Sequence, residues 1–185
     1  MTAASGRGRR ADAERNARLL VAAARELFEA RGPGAPLDEI ARRAGVGNAT
    51  LYRHFPTRDD LLAAVYTDEV AALCDRGAAL AAEADAGEAF HAWLEAFAVH
   101  VATGRAPAFA EAGGDEARRG ELFERWHAAL TSTAEHLLTR AQRAGAARAD
   151  LTVTEVLTLA HAVATSSADP DRVRRLLAIV RHGLA

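Results

Sequence analysis

The sequence predicts an all-α protein of about nine helices: a three-helix N-terminal unit joined to a larger antiparallel helical domain. Three observations carry this. Half of the 185 residues are hydrophobic, only 5% are aromatic, and alanine runs such as Ala22-Ala23-Ala24 and Ala78-Ala79-Leu80-Ala81-Ala82 recur, a composition that favours helix over strand. Apolar residues return at three- and four-residue steps, with no two-residue alternation. Glycine and proline cluster between the periodic segments and punctuate them.

Residues 1–11, with Gly6-Arg7-Gly8-Arg9-Arg10, read as a flexible basic arm. A first helix is expected over Asp12–Arg31, capped by Asp12 and striped by Leu19, Leu20, Ala23, Ala24, Leu27 and Phe28. Gly32-Pro33-Gly34 stops it. A short second helix spans Pro36–Ala44, with Asp38 and Glu39 at the positive end of its dipole. A third spans Asn48–His54. Pro56 interrupts, and Thr57 with Asp60 caps a fourth that fades near Asp75–Ala84. Residues 12–66 thus form one unit and 67–185 the other.

Further helices are expected over Gly87–Thr103, in a short piece after Pro107, and over Glu116–Ala144, the last between Gly113-Gly114 and Gly145. Thr152-Val153-Thr154-Glu155 is a capping box that opens the next helix, and Asp169-Pro170 opens the last.

The net charge of −2 is unevenly spread. Residues 1–65 hold 11 Arg against 8 acidic residues, and residues 66–185 hold 12 against 17. A basic front on an acidic rear suits contact with a polyanion. All 23 cations are Arg, whose planar fork matches phosphate. The single cysteine, Cys74, excludes an internal disulfide framework. No stretch approaches about 20 uninterrupted apolar residues, so no membrane span is expected. The Arg-rich start lacks the apolar run of a signal peptide, which predicts a cytoplasmic protein.

The informative segment is Leu37 to Phe55. Ala41 is small where two helices must approach, and Gly45, four residues on, suits the left-handed turn between them. Ile40, Val46, Leu51 and Phe55 would lock the pair onto the first helix. This is the mechanical logic of a helix-turn-helix. With Leu51 and Phe55 on one edge, about 100° per residue turns Ala49, Thr50, Tyr52 and Arg53 the other way, with His54 at the rim. Hydroxyls can donate to phosphates, Arg can reach phosphate or guanine, and Ala49 could touch a thymine methyl.

Over Arg15–Tyr66 the chain closely resembles the TetR family of transcriptional regulators, whose members show an "IA..AGV....LY.HF..K..L" pattern. Ile40-Ala41, Ala44-Gly45-Val46, Leu51-Tyr52, His54-Phe55, Arg58 and Leu61 stand in those places. The resemblance implies that Thr50, Tyr52 and His54 touch DNA and that Arg58, where Lys is common, clamps a phosphate. Arg43, Asn48 and Thr57 complete the expected DNA-binding set with Ala49 and Arg53. There are departures: Gly47 stands where a capping Ser is common, Ala49 where Gly is common, and Ala35 where Thr is common.

The resemblance further implies a homodimer that binds a double-stranded operator and releases it on binding a small apolar or amphipathic effector, with no cofactor and no catalytic residue. The effector pocket would draw on Phe90, Trp93, Leu94, Phe97, His100, Phe109, Phe123, Trp126, His127 and Leu130. The last two helices would form the dimer interface through Val153, Val156, Leu157, Ala160, Val163, Ala164, Val173, Leu176, Leu177 and Val180. No metal site is expected. His91, His100, His127, His161 and Cys74 nevertheless leave a metal-sensing variant as the alternative. No phosphate loop, His-Glu-x-x-His or nucleophile elbow speaks for an enzyme. A helical interaction module without DNA binding is disfavoured by the outward Tyr52-Arg53 face.

Overall fold

The helix boundaries follow the glycine and proline breaks. In the computed structural model, which describes residues 3–82, 85–102, 116–167 and 169–184 (backbone alone at 3–9 and 182–184), eight helices and no strand are found among the described residues. They are α1 (Ala3–Arg31), α2 (Leu37–Arg43), α3 (Asn48–His54), α4 (Arg58–Ala81), α5 (Ala86–Ala102), α6 (Glu116–Arg143), α7 (Val153–Thr165) and α8 (Pro170–Leu184). The expected short helix after Pro107 lies outside the described residues. Two compact units divide the chain, with the boundary between Asp68 and Glu69, inside α4.

In the first unit, α1 packs on α2 and α3. Leu20, Ala23, Ala24, Leu27 and Phe28 of α1 are buried, as are Ile40, Ala41, Leu51, Leu61, Leu62, Val65 and Tyr66. Two expectations for α1 are corrected. The helix begins at Ala3, so Asp12 is an exposed residue inside it and not its cap. Ala and Arg before Asp12 are strong helix formers, and two glycines at about 1 kcal/mol each do not break the run. Leu19 is 40% exposed and lies off the buried stripe. Arg25 of α1 is ion-paired with Asp68 of α4.

α4 starts on a reciprocal cap: Asp60 N–H donates to Thr57 Oγ1 (3.1 Å) and Thr57 N–H to Asp60 Oδ2 (3.1 Å). It continues unbroken to Ala81.

In the second unit, α5 is central and packs against α6, α7 and α8. Ala89, Phe90, Trp93, Leu94, Phe97 and Ala98 bury its length. α6 answers with Trp126, Leu130, Ala134, Leu137, Leu138 and Ala141, one face of a 3.6-residue repeat. Gln142 Nε2 donates to the Arg148 and Leu151 carbonyls (3.0 and 2.9 Å) and so ties down the connection to α7. α7 opens on the expected capping box, in which Thr152 N–H donates to Glu155 Oε2 (2.9 Å) and Glu155 N–H returns to Thr152 Oγ1. At α8, Asp171 N–H donates to Asp169 Oδ1 (3.0 Å).

Candidate nucleic-acid interface

The turn between α2 and α3 is a Schellman motif. Gly45 takes φ +70°, its N–H donates to the Arg42 carbonyl (3.1 Å), and the Val46 N–H reaches back to the Ala41 carbonyl (3.0 Å). Any residue with a side chain would be strained at Gly45. Ile40, Ala41 and Leu51 are buried, while Val46 and Phe55 are half-buried. With Leu51 only 1% exposed, the helical turn forces its neighbours outward. Tyr52 is 52% exposed, and Asn48, Ala49 and Arg53 are exposed beside it. Thr50 is half-buried. Gly47 supplies no side-chain cap to α3, as its identity predicts.

Three residues of the expected DNA-binding set, Arg43, Thr57 and Arg58, are engaged within the protein. Arg43 Nε donates to Glu26 Oε2 of α1 (2.6 Å), which offsets its charge. The Thr57 hydroxyl serves the α4 cap and donates to Asp60 Oδ2 (2.7 Å). His54 is half-buried, and its Nε2 is covered and takes no hydrogen bond among the described residues. Arg58 turns back to the protein, with Nη1 donating to the Pro33 (2.9 Å) and Ala35 (2.6 Å) carbonyls. The charges of Arg43 and Arg58 were legible; their partners, 17 residues away for Arg43 and 25 and 23 for Arg58, were not. Pro36 caps α2 without a side-chain bond, in keeping with Ala35 before it.

Comparison with known proteins matches residues 20–65 to "Bacterial regulatory proteins, tetR family" and residues 85–185 to "Transcriptional regulator SbtR-like, C-terminal domain". The TetR transcriptional regulator SCO0520 of Streptomyces coelicolor is 35% identical with a TM-score of 0.75, over 91% of this chain and 97% of that one. A TetR regulator from Mycobacterium vanbaalenii is 36% identical with a TM-score of 0.75, over 95% and 98%.

The chain belongs to the TetR family of transcriptional regulators.

It is a DNA-binding regulator and not an enzyme. The fold extends to FadR of Bacillus subtilis, solved in complex with stearoyl-CoA, at 17% identity and a TM-score of 0.65, over 89% of this chain and 95% of that one. No curated protein sequence matches.

In the second unit of this TetR-family chain, Phe90, Trp93, Leu94, Phe97, Trp126 and Leu130 of the expected effector set are buried core. Trp93 stacks on Phe97 at 5.7 Å, and half-buried Phe123 meets Trp126 edge-on at 5.4 Å. His127 is exposed, its Nδ1 donating to the Phe123 carbonyl (2.8 Å). Phe109 lies outside the described residues. His100 stands beside Glu69, Nδ1 to Oε2 3.7 Å, both almost fully covered. Glu69 was missed in the sequence, although its spacing from Leu62, Tyr66 and Val70 sets it on the buried face of α4.

A groove of about 180 Å³ runs instead between α5 and α8, lined by Glu88, His91, Glu95, Arg174, Leu177 and Arg181 among others. Of the expected pocket residues only Leu94 borders it. Its volume is below the roughly 300–1,000 Å³ of drug-sized ligand sites. Two ion pairs cross it: Arg181 with Glu88, and Arg174 Nε with Glu95 (3.0 Å). The Arg181 hydrogen bond holds the Glu88 carboxyl below its ordinary range. Burial, with the Arg181 cation adding to it, lowers the His91 imidazole.

The expected interface stripe divides in two. Val156, Ala160, Ala164, Val173 and Leu177 are buried within the single chain, because apolar α5 needs cover on that side. Val153, Leu157, Val163, Leu176 and Val180 are half-buried. The outward apolar side chains of this pair are Leu159 (39% exposed) and Ile179 (64%). Among the described residues no three His, Cys, Asp or Glu side chains come together to hold a metal, so the metal-sensing alternative finds no site there.

Proposed function

We propose that this regulator is a homodimeric repressor that binds a palindromic operator through α3 of each chain and leaves it when a small apolar or amphipathic effector is bound. The carrying observation is the two-sidedness of α3, with Leu51 buried while Tyr52, Arg53, Asn48 and Ala49 face solvent. A helix so presented suits a major groove. One such helix reads only a few base pairs, so specificity over a genome calls for two at fixed spacing. The outward Leu159 and Ile179 of α7 and α8 are the natural seam for the second copy.

The effector site draws on the aromatic interior of the second unit, with Glu69 and His100 as its polar groups. α4 is the lever, since it begins in the DNA-binding unit and ends in the sensor unit. An effector shifts the equilibrium only by its differential affinity for the two arrangements.

Selection of bound duplex from a random pool tests the reading. Palindromic half-sites about 34–36 Å apart, or a multiple, are expected. Recovered sequences without symmetry would overturn it. A panel of small molecules, acyl-CoA thioesters included, is then titrated against the complex; if none changes affinity, the sensing half fails.

A further inference from the structure

The corner between α1 and α2 carries turn hydrogen bonds, Gly32 N–H to the Phe28 carbonyl (2.9 Å) and Ala35 N–H to the Gly32 carbonyl (3.2 Å), and an Arg31–Glu39 ion pair, but no side-chain cap on α2. Pro36 caps α2 with no side-chain hydrogen bond, and Ala35, only 2% exposed, has no polar side chain. Arg58, the first residue of α4, ties two carbonyls of this corner to α4. Both N–H groups of its Nη1 are used, one on the Pro33 carbonyl (2.9 Å) and one on the partly buried Ala35 carbonyl (2.6 Å). Bonds from a charged donor are about twice as strong as neutral ones. Removing the guanidinium leaves a part-buried carbonyl without this donor just before α2 begins.

We propose that Arg58 is a positioning residue for DNA recognition: it clasps the α1–α2 corner and so fixes where α2, and through the tight turn α3, stand, instead of neutralising a phosphate. The clasp also passes any shift of α4's first turn to that corner, so it links the lever to the reading helix. The proposal rests on the operator-binding reading above.

Affinity alone does not separate the two roles, because both lose it. Salt dependence does. Each neutralised phosphate adds about 0.9 to the slope of log K against log salt. The lysine variant separates them again, since it keeps the charge on a shorter stem without the planar fork. The test uses the duplex recovered by selection, an unrelated duplex, and wild type, Arg58→Ala and Arg58→Lys across about 50–200 mM salt. Amide exchange over residues 37–41 is followed in the free proteins.

Both variants are expected to lose roughly tenfold or more in specific affinity, about 1.4 kcal/mol, with the slope and non-specific binding unchanged and faster exchange at 37–41. A slope reduced by about one in Arg58→Ala and restored in Arg58→Lys would overturn the proposal. So would wild-type affinity in either variant, or unchanged exchange. If Arg58→Ala does not fold, Arg58→Lys decides. If wild type selects no duplex, the operator reading fails while the exchange measurement still tests the clasp.

Discussion

The Trp93 indole donates its Nε1–H to the main-chain carbonyl of Leu73 at 3.0 Å, one turn before Gly77 on α4. That approach is open only because Gly77 has no side chain. A Cβ there would collide with Thr133 Cγ2 and press on the indole. Neither neighbour yields readily: Trp93 is fully buried, and Thr133, stiff at χ1, donates to the Ala129 carbonyl at 3.0 Å. Gly→Ala in a helix gains about 1 kcal/mol, whereas overpacking costs about 1–3 kcal/mol. Gly77→Ala is therefore expected to lower the thermal midpoint despite its better propensity. Adding Thr133→Ala should recover most of the loss. Additive effects in that double-mutant cycle would show that the two positions do not touch.

On the recognition helix, exposure and burial separate binding from folding. Tyr52→Ala and Arg53→Ala should each cost about 1–3 kcal/mol of DNA affinity, read by titration against the selected duplex. Their unfolding free energies should stay within about 0.5 kcal/mol of wild type. Leu51→Ala, one residue away and buried, should instead cost about 2–5 kcal/mol of stability. Equal effects of all three on stability would mean that α3 is held in some other orientation.

The helix-turn-helix was legible because every signal in it is local. Gly45 names the turn, the step from Leu51 to Phe55 names the inner edge, and Tyr52-Arg53 follow by rotation. The two capping boxes, Thr57–Asp60 and Thr152–Glu155, were legible for the same reason. What stayed hidden depends on partners remote in sequence. Periodicity shows that α7 and α8 have an apolar stripe but not which neighbour covers it; the covering helix is α5, so Val173 and Leu177 are interior. The positive charge of Arg58 was plain, but its carbonyl partners lie 25 and 23 residues earlier. Nothing before Asp12 stops a helix, and α1 runs through it.

The assignment of interior and outward residues on α8 can be tested by contrast. Ile179→Glu places a charge on a side chain already 64% exposed, so the fold should hold while self-association fails. Sedimentation equilibrium should then give the monomer mass, with an unchanged midpoint at protein concentrations where both proteins are monomeric. Val173→Ala removes two methyl-sized groups from a fully buried site, at about 0.8 kcal/mol each, and should lower stability by roughly 2 kcal/mol in the monomer itself. A wild-type chain that sediments as a monomer at all concentrations would sink the dimer reading, leaving the Val173 result to stand on its own.

His91 in the groove between α5 and α8 gives a pH signature whose sign is fixed by its surroundings. Burial is the larger influence, the Arg181 cation adds to it, and Glu88 opposes both; the result lies below the ordinary 6.5. The folded protein therefore resists protonating His91, while the unfolded chain takes the proton near 6.5. Between those two values the unfolded state holds more protons, so stability falls as pH drops through that window. Above 6.5 the contribution is fully present. The Glu88–Arg181 pair acts elsewhere on the scale: its lowered carboxyl stabilises above 4.5 and is lost only on acidification below that. Comparing wild type with His91→Gln from about pH 8 to pH 5.5 isolates the imidazole, since Gln does not titrate. The variant should gain on wild type steadily as the pH is lowered, in thermal midpoint or denaturant midpoint. Arg181→Gln should shrink that pH dependence, because removing the cation lets the imidazole move back toward its ordinary value. A wild-type-to-variant difference that is flat across the range would mean that His91 titrates as it does in the unfolded chain.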